Sequence, residues 1–251
     1  MRFFHIFAAI LLVPAAGCSR CDHAEVEWQT MGTTASIQYK APQIDRKRLS
    51  ALRDIARETC DLIMRRFNAH DENSEICKVA HLSDDDLKTL SPCYIAAFQF
   101  RDVSGRAFDP RWKGPCTLDL GGIAKGYALD MIARRMNLKD DEAVLLDIGG
   151  NLLAVSGEWK IAVARSGKTF VLRQGTACST SGEYFRGKHI YDPRKGSVVS
   201  NDVESVTVIA SSATVADALS TVFFVLGPED AKVEQITQKY NVEVIWTMKG
   251  R

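Results

Sequence analysis

The feature that most limits the fold is the order of strand-like and helix-like runs along the chain. Ala143–Ile148 is a strand-like run, apolar apart from Asp147, and further strand-like runs follow at Leu152–Val155, Trp159–Ala164, Thr169–Leu172, His189–Tyr191 and Val203–Ala210. Nearer the N-terminus, Met31-Gly32-Thr33-Thr34 leads into an alternating strand at Ala35–Tyr39. Helical spacing belongs to other stretches. Leu49, Leu52, Ile55, Ala56, Leu62, Ile63 and Phe67 recur as the apolar face of one helix. Asn68–Ser74 follows as a polar loop. Ser91-Pro92 reads as an N-cap with proline at the first helical position. Gly126–Leu138 carries a modest helical stripe, and Ser211–Leu226 reads as a helix stopped by Gly227-Pro228. A further helix over about Pro228–Tyr240 and a closing strand at Val242–Met248 complete the pattern. Strands and helices are thus mixed without strict βαβα alternation. The expected class is α+β, a single compact domain with a mixed, largely antiparallel sheet packed with helices.

The chain has 251 residues, 46% hydrophobic and 25% charged, with a formal net charge of +1. That length is ample for a real core. Near-neutral charge gives no footprint for nucleic acid, and none is expected as a partner. The N-terminus differs in kind. One positive charge at Arg2, an apolar stretch from Phe3 to Ala16, and Ala15-Ala16-Gly17-Cys18 make a secretory leader. A cysteine after small residues resembles a bacterial lipobox, with Ala15 where leucine is usual. The expectation is a lipoprotein-type signal over residues 1–17, lipidation at Cys18, a linker over 18–29 and one domain over 30–251. Such a protein sits lipid-anchored on the extracytoplasmic, periplasmic face of the cell membrane and spans nothing. An ordinary cleaved signal and an uncleaved anchor are the alternatives. Seven cysteines are present, and apart from Cys18 and Cys21 they are scattered. Their spacing does not say which could pair and which are buried thiols.

Three constellations could carry chemistry. Asp119-Leu120-Gly121-Gly122-Ile123-Ala124-Lys125-Gly126 combines a carboxylate, two glycines and a lysine just before a helix. Free N–H groups at a helix start and a close-approaching backbone suit phosphate. The segment matches neither common nucleotide fingerprint, and a plain strand-to-helix turn reads similarly. Asp217 and Thr221 are four apart on a helix, so their side chains share a face. A carboxylate and a hydroxyl together suit a hard cation such as Mg²⁺. Alternatively, the threonine back-bonds to its own helix and the aspartate is solvated. His189, on a strand before a turn, is a candidate acid or base near neutral pH, or a surface histidine.

Taken in order, several segments fall into one pattern: Met31–Thr34, Ala107-Phe108-Asp109-Pro110, Asp119–Ala128, Asp147–Asn151, Ser179–Gly182, His189–Pro193 and Ser205–Gly227. This resembles the ApbE family, the FAD:protein FMN transferases, from about Thr30 to the C-terminus. The resemblance implies a T-fold-related domain that binds FAD, uses Mg²⁺, and moves FMN onto a threonine hydroxyl of an acceptor protein with release of AMP. A subunit of a membrane redox complex is one such acceptor. Carried over by motif, Met31, Ala107, Phe108, Asp109, Asp119, Lys125 and Tyr191 would line the FAD site. His70 occupies the loop position where many members place a tyrosine. Asp217 and Thr221 would bind Mg²⁺ by their side chains and Gly122 by its carbonyl. His189 or Asp217 would accept the threonine proton.

Two departures from the family pattern stand out. Only Arg111–Cys116 separates Pro110 from Thr117, where typical members carry a long insertion, and His70 replaces the usual tyrosine. Two other readings compete with transfer. One is an FAD pyrophosphatase giving FMN and AMP; the other is a non-catalytic, anchored FAD-binding protein.

Overall fold

A computed structural model describes residues 10–12, 21–111, 116–183, 187 and 189–250. Cys18 and most of the expected leader lie outside the described residues. Within that leader, β1 (Ile10–Leu12) is described, and it pairs antiparallel with a later strand over Ile161–Val163.

Two-residue turns with positive φ set the backbone of the sheet. Met31 (φ 48°) and Gly32 (φ 70°) join β2 (Asp22–Thr30) to β3 (Thr33–Ala41), which pair from Asp22 opposite Ala41 to Thr30 opposite Thr33. Gly149 (φ 60°) and Gly150 (φ 87°) do the same between β4 (Ala143–Ile148) and β5 (Asn151–Ala154). Positive φ at both central residues gives the hairpin turn whose twist matches the strands. Glycine adopts it without strain, whereas Met31 does so as a side-chain-bearing outlier.

The linker expected over residues 18–29 is in large part a strand. Ala24, Val26 and Trp28 of β2 pack against the core, while Glu25 and Glu27 point away. Strict alternation along a half-covered edge explains both the strand and the charges that disguise it.

The remaining strands are β6 (Trp159–Val163), β7 (Thr169–Leu172), β8 (Ala177–Gly182), β9 (Tyr191–Asp192), β10 (Ser197–Val198), β11 (Val203–Ala210) and β12 (Glu243–Met248). The main sheet has seven strands in the order β12-β11-β8-β5-β4-β3-β2, antiparallel throughout. The helices are α1 (Arg46–Phe67), α2 (Glu75–Val79), α3 (Asp84–Leu90), α4 (Pro92–Val103), α5 (Ala124–Arg135), α6 (Ala213–Leu226) and α7 (Ala231–Tyr240). The expected strand at His189–Tyr191 shrinks to the two-residue β9, paired with β10. β8 and the short α2 and α3 are elements that periodicity does not predict.

α6 packs on β8, β11 and β5, with α5 between it and α1. Its Ala216, Leu219, Val222, Phe223 and Phe224 are fully buried, which is why its sequence is apolar nearly all round. Gly227 at φ 78° ends it, as its glycine-proline stop predicts. Ser91 caps α4 by accepting from the Cys93 N–H, with Pro92 in the first turn. On the opposite sheet face, β6 and β7 cover a second small core of Leu145, Leu152, Trp159, Ile161, Leu172 and Cys178. Arg48 grips Glu142 with two hydrogen bonds of 2.9 Å, and the Tyr39 hydroxyl donates to the same carboxylate at 2.9 Å. That lock ties α1 to the end of the sheet. Cys77 of α2 is disulfide-bonded to Cys116, the pairing that sequence spacing leaves open.

Candidate active site

The site is built where α5 and α6 touch. Gly126, in the first turn of α5, has no room for a side chain: a Cβ there would lie 2.1 Å from the Ala213 carbonyl oxygen. This approach brings the Gly126 N–H to Asp217 Oδ2 at 2.9 Å. Asp130, one turn further along α5, reaches over the start of α6. Its carboxylate accepts from the Ala213 and Thr214 N–H groups at 2.9 Å and from the Ser212 hydroxyl at 2.7 Å. Free N–H groups at a helix start need such a partner. The two helices are thereby fixed in register over each other.

Asp217 is only 4% exposed, so its charge needs partners. Besides the Gly126 N–H, Lys125 Nζ stands 3.7 Å from Oδ1. The same ammonium donates to the Gly121 carbonyl at 3.2 Å. Asp119 Oδ1 accepts from the Gly121 N–H at 2.6 Å and shapes the corner before α5. At Gly122 a Cβ would stand 3.3 Å from Thr221 Oγ1 and 3.0 Å from Phe108 Cε2. The missing side chain there lets the backbone lie directly beside Thr221.

These groups open into a cavity of about 530 Å³. Asp119, Gly122, Lys125, Asp217 and Thr221 line one wall. Ala107, Phe108 and Asp109 form another, with His70, His189 and Tyr191 around the remainder. Eleven of the twelve residues assigned to ligand or metal by motif therefore converge. Met31 is the exception; it sits in the β2–β3 turn and does not line the cavity. Asp109 reaches the cavity wall with its carboxylate already engaged, by Arg106 at 2.6 Å and by the Arg111 N–H at 3.0 Å.

His189 Nδ1 lies 2.8 Å from the Gly187 carbonyl oxygen. A carbonyl can only accept, so Nδ1 carries the proton of the neutral ring and Nε2 is the basic nitrogen. Next to it, Asp192 is buried, which pushes its carboxyl up. The Arg194 guanidinium, bonded at 2.8 and 2.9 Å, outweighs burial and holds it below the usual carboxylate range. That pair anchors the turn carrying His189 and Tyr191.

Asn151, Thr180, Ser181 and Gly149 also line the cavity and have no role assigned by motif. They come from β5, β8 and the turn before β5. The run Ser179-Thr180-Ser181-Gly182 is polar and small, which is unusual for a central strand and is the signal the sequence offers.

The donors an ion would meet beside Asp217 are oxygens, the Asp217 carboxylate and the Thr221 hydroxyl, with the Lys125 ammonium 3.7 Å from that carboxylate. Among the described residues no group of three or more His, Cys, Asp and Glu is gathered to hold a metal. The donor set fits a hard divalent cation that keeps several waters and does not fit a soft thiolate or imidazole metal.

Fold and site together define an antiparallel α+β protein with an open, polar cavity whose lysine and oxygen donors suit a phosphorylated ligand. The family model for the ApbE family matches residues 111–246, more than half of the chain. The chain belongs to the ApbE family. It is similar to the FAD:protein FMN transferase of Klebsiella pneumoniae (strain 342), with 34% identity over 151 residues, covering 53% of this chain and 46% of that protein. Against the Escherichia coli (strain K12) protein of the same name, identity is 36% over 134 residues, 46% of this chain and 38% of that one. The aligned part of the chain thus spans about half the length of the curated relatives, or less. The fold is similar to that of the flavin transferase ApbE from Vibrio cholerae, at a TM-score of 0.73 and 20% identity, covering 92% of this chain and 94% of that one. The apo form of Pseudomonas stutzeri flavinyl transferase ApbE superposes at a TM-score of 0.74 with 22% identity, over 92% of each chain.

Proposed function

We propose that this chain transfers FMN from FAD to a threonine hydroxyl of an acceptor protein, with AMP as the leaving group and Mg²⁺ as the bound cation. One observation carries the reading: Lys125, Asp217, Thr221 and the Gly122 backbone meet in one cavity that His189 also lines. In the reaction the threonine Oγ–P bond forms, the anhydride P–O bond to AMP breaks, and the hydroxyl proton leaves to a base.

Each residue has a task in that scheme. Lys125, largely buried and already beside a carboxylate, supplies fixed positive charge for the pyrophosphate. Asp217, Thr221 and the Gly122 carbonyl would hold Mg²⁺, which when bound draws charge from the phosphoryl oxygens. His189 Nε2 is the free base suited to take the hydroxyl proton, because Asp217 is occupied by Gly126 and Lys125. Catalysis then rests on positioning and charge stabilisation, as phosphoryl transfer generally does.

The test is incubation with FAD and Mg²⁺, with and without a threonine-bearing acceptor. Fluorescent acceptor on a denaturing gel supports transfer. Free FMN and AMP alone would mark a hydrolase, and unchanged FAD a binding protein. The leader pattern at residues 1–18 supports lipid anchoring at Cys18 on the extracytoplasmic face. Mass spectrometry of the mature N-terminus tests it, and an unacylated terminus beyond Cys18 would reject it.

A further inference from the structure

Behind the Asp217–Thr221 face runs a chain of hydroxyl groups that the proposed reaction does not use. Asn151 Nδ2 donates to the Ile148 carbonyl at 3.0 Å, which turns Asn151 Oδ1 toward Ser179. Ser179 Oγ donates to that oxygen at 2.6 Å. Ser220 Oγ lies 3.1 Å from Ser179 Oγ, 2.8 Å from Ser181 Oγ and 2.9 Å from the Asp217 carbonyl. Ser181 Oγ in turn lies 3.4 Å from Thr221 Oγ1, the same distance at which the Thr221 hydroxyl stands from the Asp217 carbonyl, and both Ser181 and Thr221 line the cavity. Asn151, Ser179 and Ser220 are all buried, at 4%, 2% and 0% exposure, so water cannot complete their hydrogen bonds.

Counting protons orders the chain. Each hydroxyl has one proton, and that of Ser179 is committed to Asn151. Both contacts of Ser220 below 3.0 Å receive a proton in one way only: Ser220 donates to the Asp217 carbonyl, and Ser181 donates to Ser220. With its proton directed into the protein, Ser181 turns only lone pairs toward Thr221 and the cavity.

We infer that Ser181 is a positioning residue: together with the Asp217 carbonyl it offers acceptors on the protein side of the Thr221 hydroxyl, and so leaves the Thr221 lone pairs facing the cavity as a cation donor. The same polarity makes Ser181 unable to donate to a phosphate oxygen. Its contribution therefore falls on cation affinity and not on FAD affinity. The inference rests on the cation reading of Asp217 and Thr221 given above.

Mn²⁺ serves as the probe, with free Mn²⁺ read by electron paramagnetic resonance in the presence of FAD. FAD affinity is measured separately in EDTA by flavin fluorescence. Removing a group that orients a metal ligand weakens metal binding about tenfold or more. Ser181→Ala is expected to raise the Mn²⁺ dissociation constant about tenfold, with FAD affinity in EDTA unchanged. Ser181→Thr, which keeps the hydroxyl, should restore most of it and also controls for folding. Parent-like Mn²⁺ affinity in Ser181→Ala, alongside lost affinity in Asp217→Asn, overturns the inference and leaves the cation reading standing. A parent protein that binds FAD but no Mn²⁺ overturns both.

Discussion

Gly126 and Asp217, 91 positions apart, are joined by a hydrogen bond of 2.9 Å from the glycine N–H to the buried carboxylate. The bond exists because the glycine has no side chain. A Cβ at Gly126 would stand 2.1 Å from the Ala213 carbonyl oxygen and 2.7 Å from Asp217 Cβ. Both obstacles belong to α6, so α5 would have to move away.

Gly126→Ala is therefore expected to destabilise the protein despite the better helix propensity of alanine. Overpacking costs about 1–3 kcal/mol, against a gain of about 1 kcal/mol for replacing a helical glycine. The Gly126 bond to Asp217 would also lengthen. A lower urea midpoint together with weaker divalent-cation binding is the expected result. A midpoint equal to or above the parent's would show that the two helices are not locked at this point.

Asp217 has two separable tasks, holding the Gly126 N–H and supplying charge. Asp217→Asn keeps an acceptor oxygen of the same shape, so its thermal midpoint should stay near the parent's. Asp217→Ala leaves a buried N–H without a partner, at a cost of about 1–3 kcal/mol. Both should lose Mg²⁺-dependent turnover of FAD, by about a hundredfold or more if the carboxylate holds the cation. Thermal unfolding and turnover measured across a Mg²⁺ series check this. Full activity in either variant would reject the cation assignment.

Much of this arrangement is legible in the amino-acid sequence, and the limits have physical causes. β4, β7 and β11 fall on the expected residues because apolar and β-branched side chains dominate them, Asp147 and Glu204 being their only charges. α6 can be read from its spacing and its Gly227-Pro228 stop, and Asp217 and Thr221 follow from its period. β2 hides behind Glu25 and Glu27, which face outward on an edge strand. β8 hides for a different reason. Its hydroxyls are satisfied sideways, by Asn151 on β5 and Ser220 on α6, and no local pattern encodes partners that distant. The union of Gly126 with Asp217 is of the same kind. The family resemblance joins Gly122, not Gly126, to Asp217, and periodicity cannot supply the Gly126 contact.

The Cys77–Cys116 disulfide closes a loop with a sequence separation of 39 that includes α3, α4 and the Ala107–Asp109 cavity wall. Cys116 Sγ also approaches the carbonyl of Ala69 at 3.1 Å, next to His70 on the cavity rim. A cross-link of that span restricts the unfolded chain by about 4 kcal/mol in the chain-entropy account, and measured values run at about 2–4 kcal/mol. Reduction should therefore lower the unfolding temperature by roughly 5–15 °C for a domain of this size. The Cys77→Ser/Cys116→Ser double variant should show the lower value and no further response to reductant. A parent protein whose unfolding temperature ignores reductant would mean that the bond contributes nothing to stability.

Asp147 sets a pH dependence of unusual sign. Burial pushes its carboxyl up to about 7, with Glu25 and Glu27 adding to the rise and the Gly150 N–H, 2.8 Å from Oδ1, partly offsetting it. In the unfolded chain the group ionises near its ordinary value of 3.8. The protonated form is thus favoured by folding. Its stabilising contribution is complete below about pH 4 and declines as pH rises through about 7, above which the charge is carried in full at a half-buried position. Asp147→Asn is neutral and keeps an oxygen for the Gly150 N–H. Its stability relative to the parent should be near zero at pH 4, grow up to about pH 7, and then level off at a gain on the order of 2–4 kcal/mol. Urea unfolding of both proteins from pH 4 to 9 measures this difference directly, since other titrating groups cancel between them. A flat difference across that range would place the Asp147 carboxyl in the ordinary range.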